Sequence, residues 1–140
     1  MTDANEIAVV LDATALVAYA SGELAVGELI AEVADEDRRV GVPAVCLAAA
    51  HASAAGEVPA ALLALLMATP VMRLVPLGAD PGADDIRQAG ALARAAGGDV
   101  ALGHAARTAI AHQAHLATAD AKAAAAVLPA GWSVLDLTQT

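Results

Sequence analysis

The stretch "VVLDATALVAY", residues 9–19, decides how this chain is read. Val9, Val10 and Leu11 are β-formers, Asp12 is a charge, and Thr14 opens a segment with helical spacing. An apolar run that ends on a carboxylate and passes directly into a helix has the form of a buried strand in an α/β fold. Such folds hold their ligands outside the carboxyl ends of the strands. Asp12 has a second role available there, because Asp and Thr side chains accept hydrogen bonds from the free N–H groups at a helix entry. Cap and ligand are both consistent with these eleven residues.

Working outward, residues 7–11 read as a first strand and 14–20 as a short helix closed by Ser21 and Gly22. Leu24, Val26, Leu29, Ile30 and Val33 recur mostly at spacings of three and four, which predicts an amphipathic helix over 23–36. A short strand follows over 38–42, ended by Pro43. Residues 44–57 and 59–69 read as two helices punctuated by Gly56 and Pro59. Residues 71–77 alternate as a strand does, with Pro76 at its end or edge. After a turn over 78–85 comes a helix over 84–96, stopped by Gly97 and Gly98, and Asp99 caps the next helix, over 99–114. A strand (115–118), a helix (119–128) and a last strand (132–137) complete the chain. Strands alternate with helices throughout, without a repeat or a linker. The expectation is one domain over 1–140: an α/β fold, a three-layer α/β/α sandwich around a mostly parallel central sheet.

Composition narrows the function classes. The 140 residues are 59% hydrophobic and 16% charged, which excludes a disordered chain and suffices for a core without staples. Alanine is the largest part of that apolar content, and there is no Phe, one Trp and one Tyr. A helix-rich interior packed through small side chains follows, and base stacking on aromatics is hardly available. The longest apolar run, 58–72, is broken by Pro59 and Pro70 and is too short to span a bilayer. Residues 1–7 are acidic and lack the basic start and apolar centre of a signal peptide, so a cytoplasmic protein without membrane attachment is expected. Cys46 is alone, which rules out an internal disulfide and a Cys-based zinc site. Seven Lys and Arg against sixteen Asp and Glu give a formal charge of −9, the opposite of a nucleic-acid binder's basic footprint. Contact with a polyanion then requires metal ions, a local basic patch or a basic partner.

If the sheet is parallel, the first and fourth strands end on one edge. Asp12 and the "TAD" at 118–120 then share the carboxyl rim, and Asp99, opening the helix that leads into the fourth strand, reaches the same rim. Three converging carboxylates repel one another unless a cation lies between them or one takes a proton. Hard oxygen donors suit Mg²⁺ or Mn²⁺. A metal so held activates water and neutralises charge on a phosphodiester under attack.

The order of elements and these residues together resemble the PIN domain, the fold of metal-dependent ribonucleases that includes the bacterial VapC toxins of toxin–antitoxin pairs. The resemblance covers nearly the whole chain. "VVLDATALVAY" is similar to the family's opening motif, "VGVPAVCLAAAHA" (40–52) to its second and "LATAD" (116–120) to its last, with Thr118 and Asp120 at the matching polar positions. It implies Asp12 as principal metal ligand, Asp99 and Asp120 completing the site, and Thr118 orienting water or Asp120. It further implies Mg²⁺ or Mn²⁺ as cofactor, RNA as substrate, an antitoxin as protein partner and a homodimer. Two departures stand out. The glutamate of the second motif falls on Ala49, and no carboxylate lies between Pro43 and Gly56. The third acid's usual place falls on Leu102, or with a short gap on His104, and Asp99 lies one helical turn before Leu102. The competing expectation is therefore a module that keeps the fold without the chemistry and acts by pairing with itself or with a basic partner. The small residues of "AVCLAAAHASAAG" (44–56) allow the close helix approach this needs.

The remaining chemical groups read more simply. His104 and His112 are eight residues apart, about 80° around a helix, and with His115 they lack any zinc-motif spacing, so all three are expected to be surface or partly buried histidines. His51 is expected on an exposed helix face. Arg38 and Arg39 read as a solvated helix end meeting the C-terminal dipole, and Arg107 as facing the acidic rim or solvent. "GGDV" (97–100) lacks the spacing and the lysine of a phosphate loop. Cys46, in an apolar helix with no adjacent base, reads as a small core residue.

Overall fold

Ile7, Ala8, Val9, Val10 and Leu11 carry no polar alternation, and all five are buried. A strand of that kind belongs in the middle of a parallel sheet, covered on both faces. A computed structural model, which describes residues 6–78 and 83–139, places it there as β1 (Ile7–Leu11). The chain continues through α1 (Ala13–Ala20), α2 (Leu24–Asp35), β2 (Arg39–Pro43), α3 (Ala44–Ser53), α4 (Glu57–Met67) and β3 (Met72–Val75). Then follow α5 (Asp84–Ala93), a 3₁₀ turn (Arg94–Ala96), α6 (Val100–His112), β4 (His115–Thr118), α7 (Ala121–Val127) and β5 (Val134–Asp136). The five strands are ordered β3-β2-β1-β4-β5, and every pairing is parallel. With helices covering the sheet, the fold is a three-layer α/β/α sandwich.

Differences from the expected boundaries have local causes. α3 stops at Ser53 because Gly56, at φ 115°, turns the chain before α4 starts. Pro59 then lies inside the first turn of α4, where a missing N–H leaves no helical bond unmade. β3 ends before Pro76, which could not extend the ladder. The expected turn over 78–85 falls partly, at 79–82, outside the described residues, as do residues 1–5 of the acidic start.

The alanine-rich composition acquires its meaning in α6. Ala101, Leu102, Gly103, His104, Ala105, Ala106, Thr108 and Ala109 are all buried, so this helix is covered around most of its circumference. It packs on β1 and β2 and against α3, α5 and α7. Among the described residues no single helix is long and apolar enough to cross a membrane.

Candidate functional site

The chain leaves the centre of the sheet in opposite directions from β1 and β4: β2 and β3 lie to one side, β5 to the other. Two parallel neighbours whose connections diverge in this way open a crevice at their carboxyl ends. β1 and β4 pair through Leu11 and Ala117, and the Asp12 N–H adds one more bond, 3.3 Å to the Ala117 carbonyl. Asp12 and Asp120 therefore stand on either side of the crevice for a topological reason.

Each of the three expected acids caps a helix. Asp12 Oδ1 accepts from the Ala15 N–H at 2.9 Å, Asp99 Oδ1 from Leu102 at 3.1 Å and Asp120 Oδ1 from Ala123 at 3.2 Å. Cap and ligand were rival readings of Asp12, yet capping occupies one carboxylate oxygen and leaves the other. Asp12, Asp99 and Asp120 together line one hollow of about 50 Å³, with Ala13, Thr14, Leu102 and Ala123. That volume admits a few water-sized groups at roughly 10–15 Å³ each.

Asp12 is the distinctive member. It is 3% exposed, whereas Asp99 and Asp120 are exposed to solvent. Burial raises its pKa above the ordinary carboxylate value, and hydrogen bonds from Thr118, Thr14 and the Ala15 backbone pull partly back. The group is left short of positive charge.

Around it runs a hydroxyl network. Thr14 Oγ1 donates to Asp12 Oδ1 at 2.6 Å and accepts from the Ala119 N–H at 2.8 Å. Thr118 Oγ1 lies 3.0 Å from Thr14 Oγ1 and accepts from the Asp120 N–H at 3.0 Å. Thr118 thus ties down the Asp120 backbone; it is fully buried and is not among the residues that line the hollow. Thr14 was missed as a site residue; its signal was a hydroxyl two positions after Asp12, at a helix entry.

Other expectations resolve as follows. Ala49 is half-buried and does not line the hollow, and α3 contributes no carboxylate to it. Leu102 forms part of its wall; His104 does not. Where a surface or partly buried histidine was expected, His104 is 1% exposed. Its Nδ1 accepts from the Val45 N–H at 3.4 Å, in the first turn of α3, which has no side-chain cap of its own; its Nε2 is buried without a hydrogen bond. Burial holds its pKa below the ordinary imidazole value, against weaker opposing effects of the Pro76 carbonyl and Asp85. His51, His112 and His115 are exposed, as expected. Arg107 faces neither rim nor solvent alone: its Nε donates to Asp85 Oδ1 at 2.9 Å, tying α6 to α5. Arg38 pairs with Glu6 at 3.2 Å, and Arg39 donates to the Arg38 carbonyl, so neither takes the expected place on the α2 dipole. Cys46 is a core residue, its thiol donating to the Ala101 carbonyl at 3.0 Å. Burial raises its pKa, and the charges of both Asp12 and Asp99 push it further. Two of the three acids thus bear on one thiol just behind the hollow.

Among the described residues no three His, Cys, Asp or Glu side chains stand close enough to hold an ion between them. Mg²⁺ does not require that, since it is commonly held by one or two carboxylates with water in its other positions. The donor set, hard and anionic with one buried member, fits such an ion. No protein-family model matches this chain, and no curated protein matches it either.

Proposed function

We propose that the hollow takes Mg²⁺ or Mn²⁺ and that the protein is a metal-dependent ribonuclease of the PIN, VapC-like type. The observation that carries this reading is the burial of Asp12 beside Asp99 and Asp120 at the sheet's switch point. A buried carboxylate with a raised pKa gains from a cation what it lacks from the protein. Asp12 is the principal ligand in this reading, and Asp99 and Asp120 hold the ion's water shell from the solvent side. Thr14 and Thr118 fix the two rims relative to each other. When bound, the ion supplies an activated water and neutralises phosphodiester charge.

Thermal unfolding in a Mn²⁺ or Mg²⁺ titration tests it. Saturation at a hundred times the dissociation constant adds about 2.7 kcal/mol, and Asp12→Asn abolishes the gain. Melting that ignores both ions at millimolar levels removes the nuclease reading. The absence of any α3 carboxylate favours a second reading, a module that retains the fold without hydrolysis and acts by pairing with itself or a basic, antitoxin-like protein. Cation binding without cleavage of structured RNA selects it.

A further inference from the structure

α3 begins without a cap of its own. Pro43 holds its N-cap position and has no side chain to offer the free N–H groups of the first turn. The acceptor comes instead from α6, 59 residues along the chain, where His104 Nδ1 takes the Val45 N–H at 3.4 Å. Val45 stands at the second helical position, one that a capping side chain ordinarily serves. Only a neutral imidazole can do this, because a charged ring carries hydrogen on both nitrogens and accepts at neither. In the neutral ring the hydrogen is on Nε2, which is buried and has no hydrogen bond among the described residues. A further proton therefore brings charge into a dry place and against the positive end of α3.

The groups that favour that charge are the Pro76 carbonyl, after β3, and Asp85 of α5, and Asp85 is already engaged by Arg107. The remaining titratable groups on the elements around α6 are occupied elsewhere or face water. Asp84 and Arg87 of α5 pair with each other, Cys46 of α3 donates to the Ala101 carbonyl, and Asp99 and Asp120 cap their own helices. His51, Arg94, His112 and Lys122 are exposed, and Arg39 and His115 lie at the amino ends of their strands.

We infer that His104 is a proton-operated cap of α3: neutral, it closes the first turn from α6, and protonated, it releases that turn. The release has a defined extent. Val45 loses its acceptor, and the contact that Cys46 makes with the Ala101 carbonyl, one residue later, opens with it. α3 starts where β2 ends, at the carboxyl edge of the sheet, and Leu102 in the wall of the hollow lies two positions before His104. Acid below the ordinary imidazole range thus loosens the shell behind the hollow, while α4, which packs on α1 and β3, stays folded. The device operates whether or not the hollow takes a cation.

Cys46, the one thiol of the chain, is a native probe of this junction, since it is fully buried and meets α6 there. The experiment follows its modification by 2,2′-dithiodipyridine, a reagent active in acid as well as at neutral pH, between pH 7.5 and 5 in metal-free buffer. Rates are taken relative to the urea-unfolded chain at the same pH. The relative rate is expected to rise about tenfold for each pH unit over which the released ring is charged and the capping ring is not. It is expected to stay flat in His104→Gln, whose amide oxygen accepts without titrating. Amide exchange in the parent separates local release from unfolding, and carries the test should His104→Gln not fold. Protection at Val45 and through the first turn of α3 falls over the same range, while Leu63 and Leu66 of α4 keep theirs. A relative rate indifferent to pH, an equal rise in His104→Gln, or loss of protection in α3 and α4 together overturns the inference.

Discussion

Replacing Gly103 by alanine sets two effects of opposite sign against each other. In a helix interior, Gly→Ala stabilises by about 1 kcal/mol, because the backbone loses less freedom on folding. A Cβ at Gly103 would lie 2.2 Å from the Ala89 carbonyl oxygen, 2.9 Å from the Ala93 Cβ and 3.1 Å from the Ala93 nitrogen. An ordinary C···O contact is about 3.3 Å or longer, so α5 and α6 must separate by about 1 Å. The obstructing atoms are backbone and no rotamer change relieves them. Overpacking of this kind costs about 1–3 kcal/mol, and with backbone obstruction the upper end applies. The net expectation is a loss of about 2 kcal/mol, or about 6–8 °C in melting temperature for a chain of this size. Urea unfolding followed by far-ultraviolet circular dichroism reads it directly. Gly90→Ala on α5 is the control: its Cβ meets nothing within 4 Å, so the propensity gain stands alone. Because α6 carries Asp99 at its cap and Leu102 in the wall of the hollow, Gly103→Ala should also weaken any cation-induced shift. Equal stabilisation by the two substitutions would show that α5 and α6 do not cross this closely and would undo the account of how α6 is held.

Three further outcomes follow from the site. Asp12→Asn keeps the Oδ1 acceptor but removes a charge whose pKa is raised on folding. The Asp12 contribution is fully present below the ordinary carboxylate range and is lost as pH rises through the raised value. In metal-free buffer the Asn protein therefore gains on the parent as pH rises above the ordinary carboxylate range, and urea midpoints that track in parallel contradict this. For His104 the sign is opposite, since its depressed pKa gives stability that is present above the ordinary imidazole value and lost as pH falls. The parent minus His104→Gln difference in unfolding free energy should shrink on acidification from pH 7.5 to 5, and a flat difference rejects the buried-imidazole assignment. Thr14→Ala leaves the Ala119 N–H without its side-chain partner and removes one of the donors to Asp12, at about 1–2 kcal/mol; Thr14→Ser restores most of it in the same denaturation assay, and equal loss in both variants would point to packing instead.

The order of strands and helices, the parallel sheet and the rim position of Asp12 and Asp120 were legible in the residues themselves. Apolar runs, glycine stops and Asp caps act on neighbours a few positions away, and a parallel sheet turns that local order into a shared edge. Contacts between distant segments decided the rest. Thr14 and Thr118 meet across 104 residues of chain, and nothing near either predicts the other. His104 reads as a surface or partly buried histidine because its spacing matches no metal motif, yet the small residues around it on α6 let α3 and α5 close over it. Arg107 had acidic rim and solvent as alternatives until α5 brought Asp85 to it. That three capping carboxylates line one hollow depends on how helices from distant parts of the chain converge on the β1–β4 crevice. Capping is a property of each helix, but a pocket is a property of their packing.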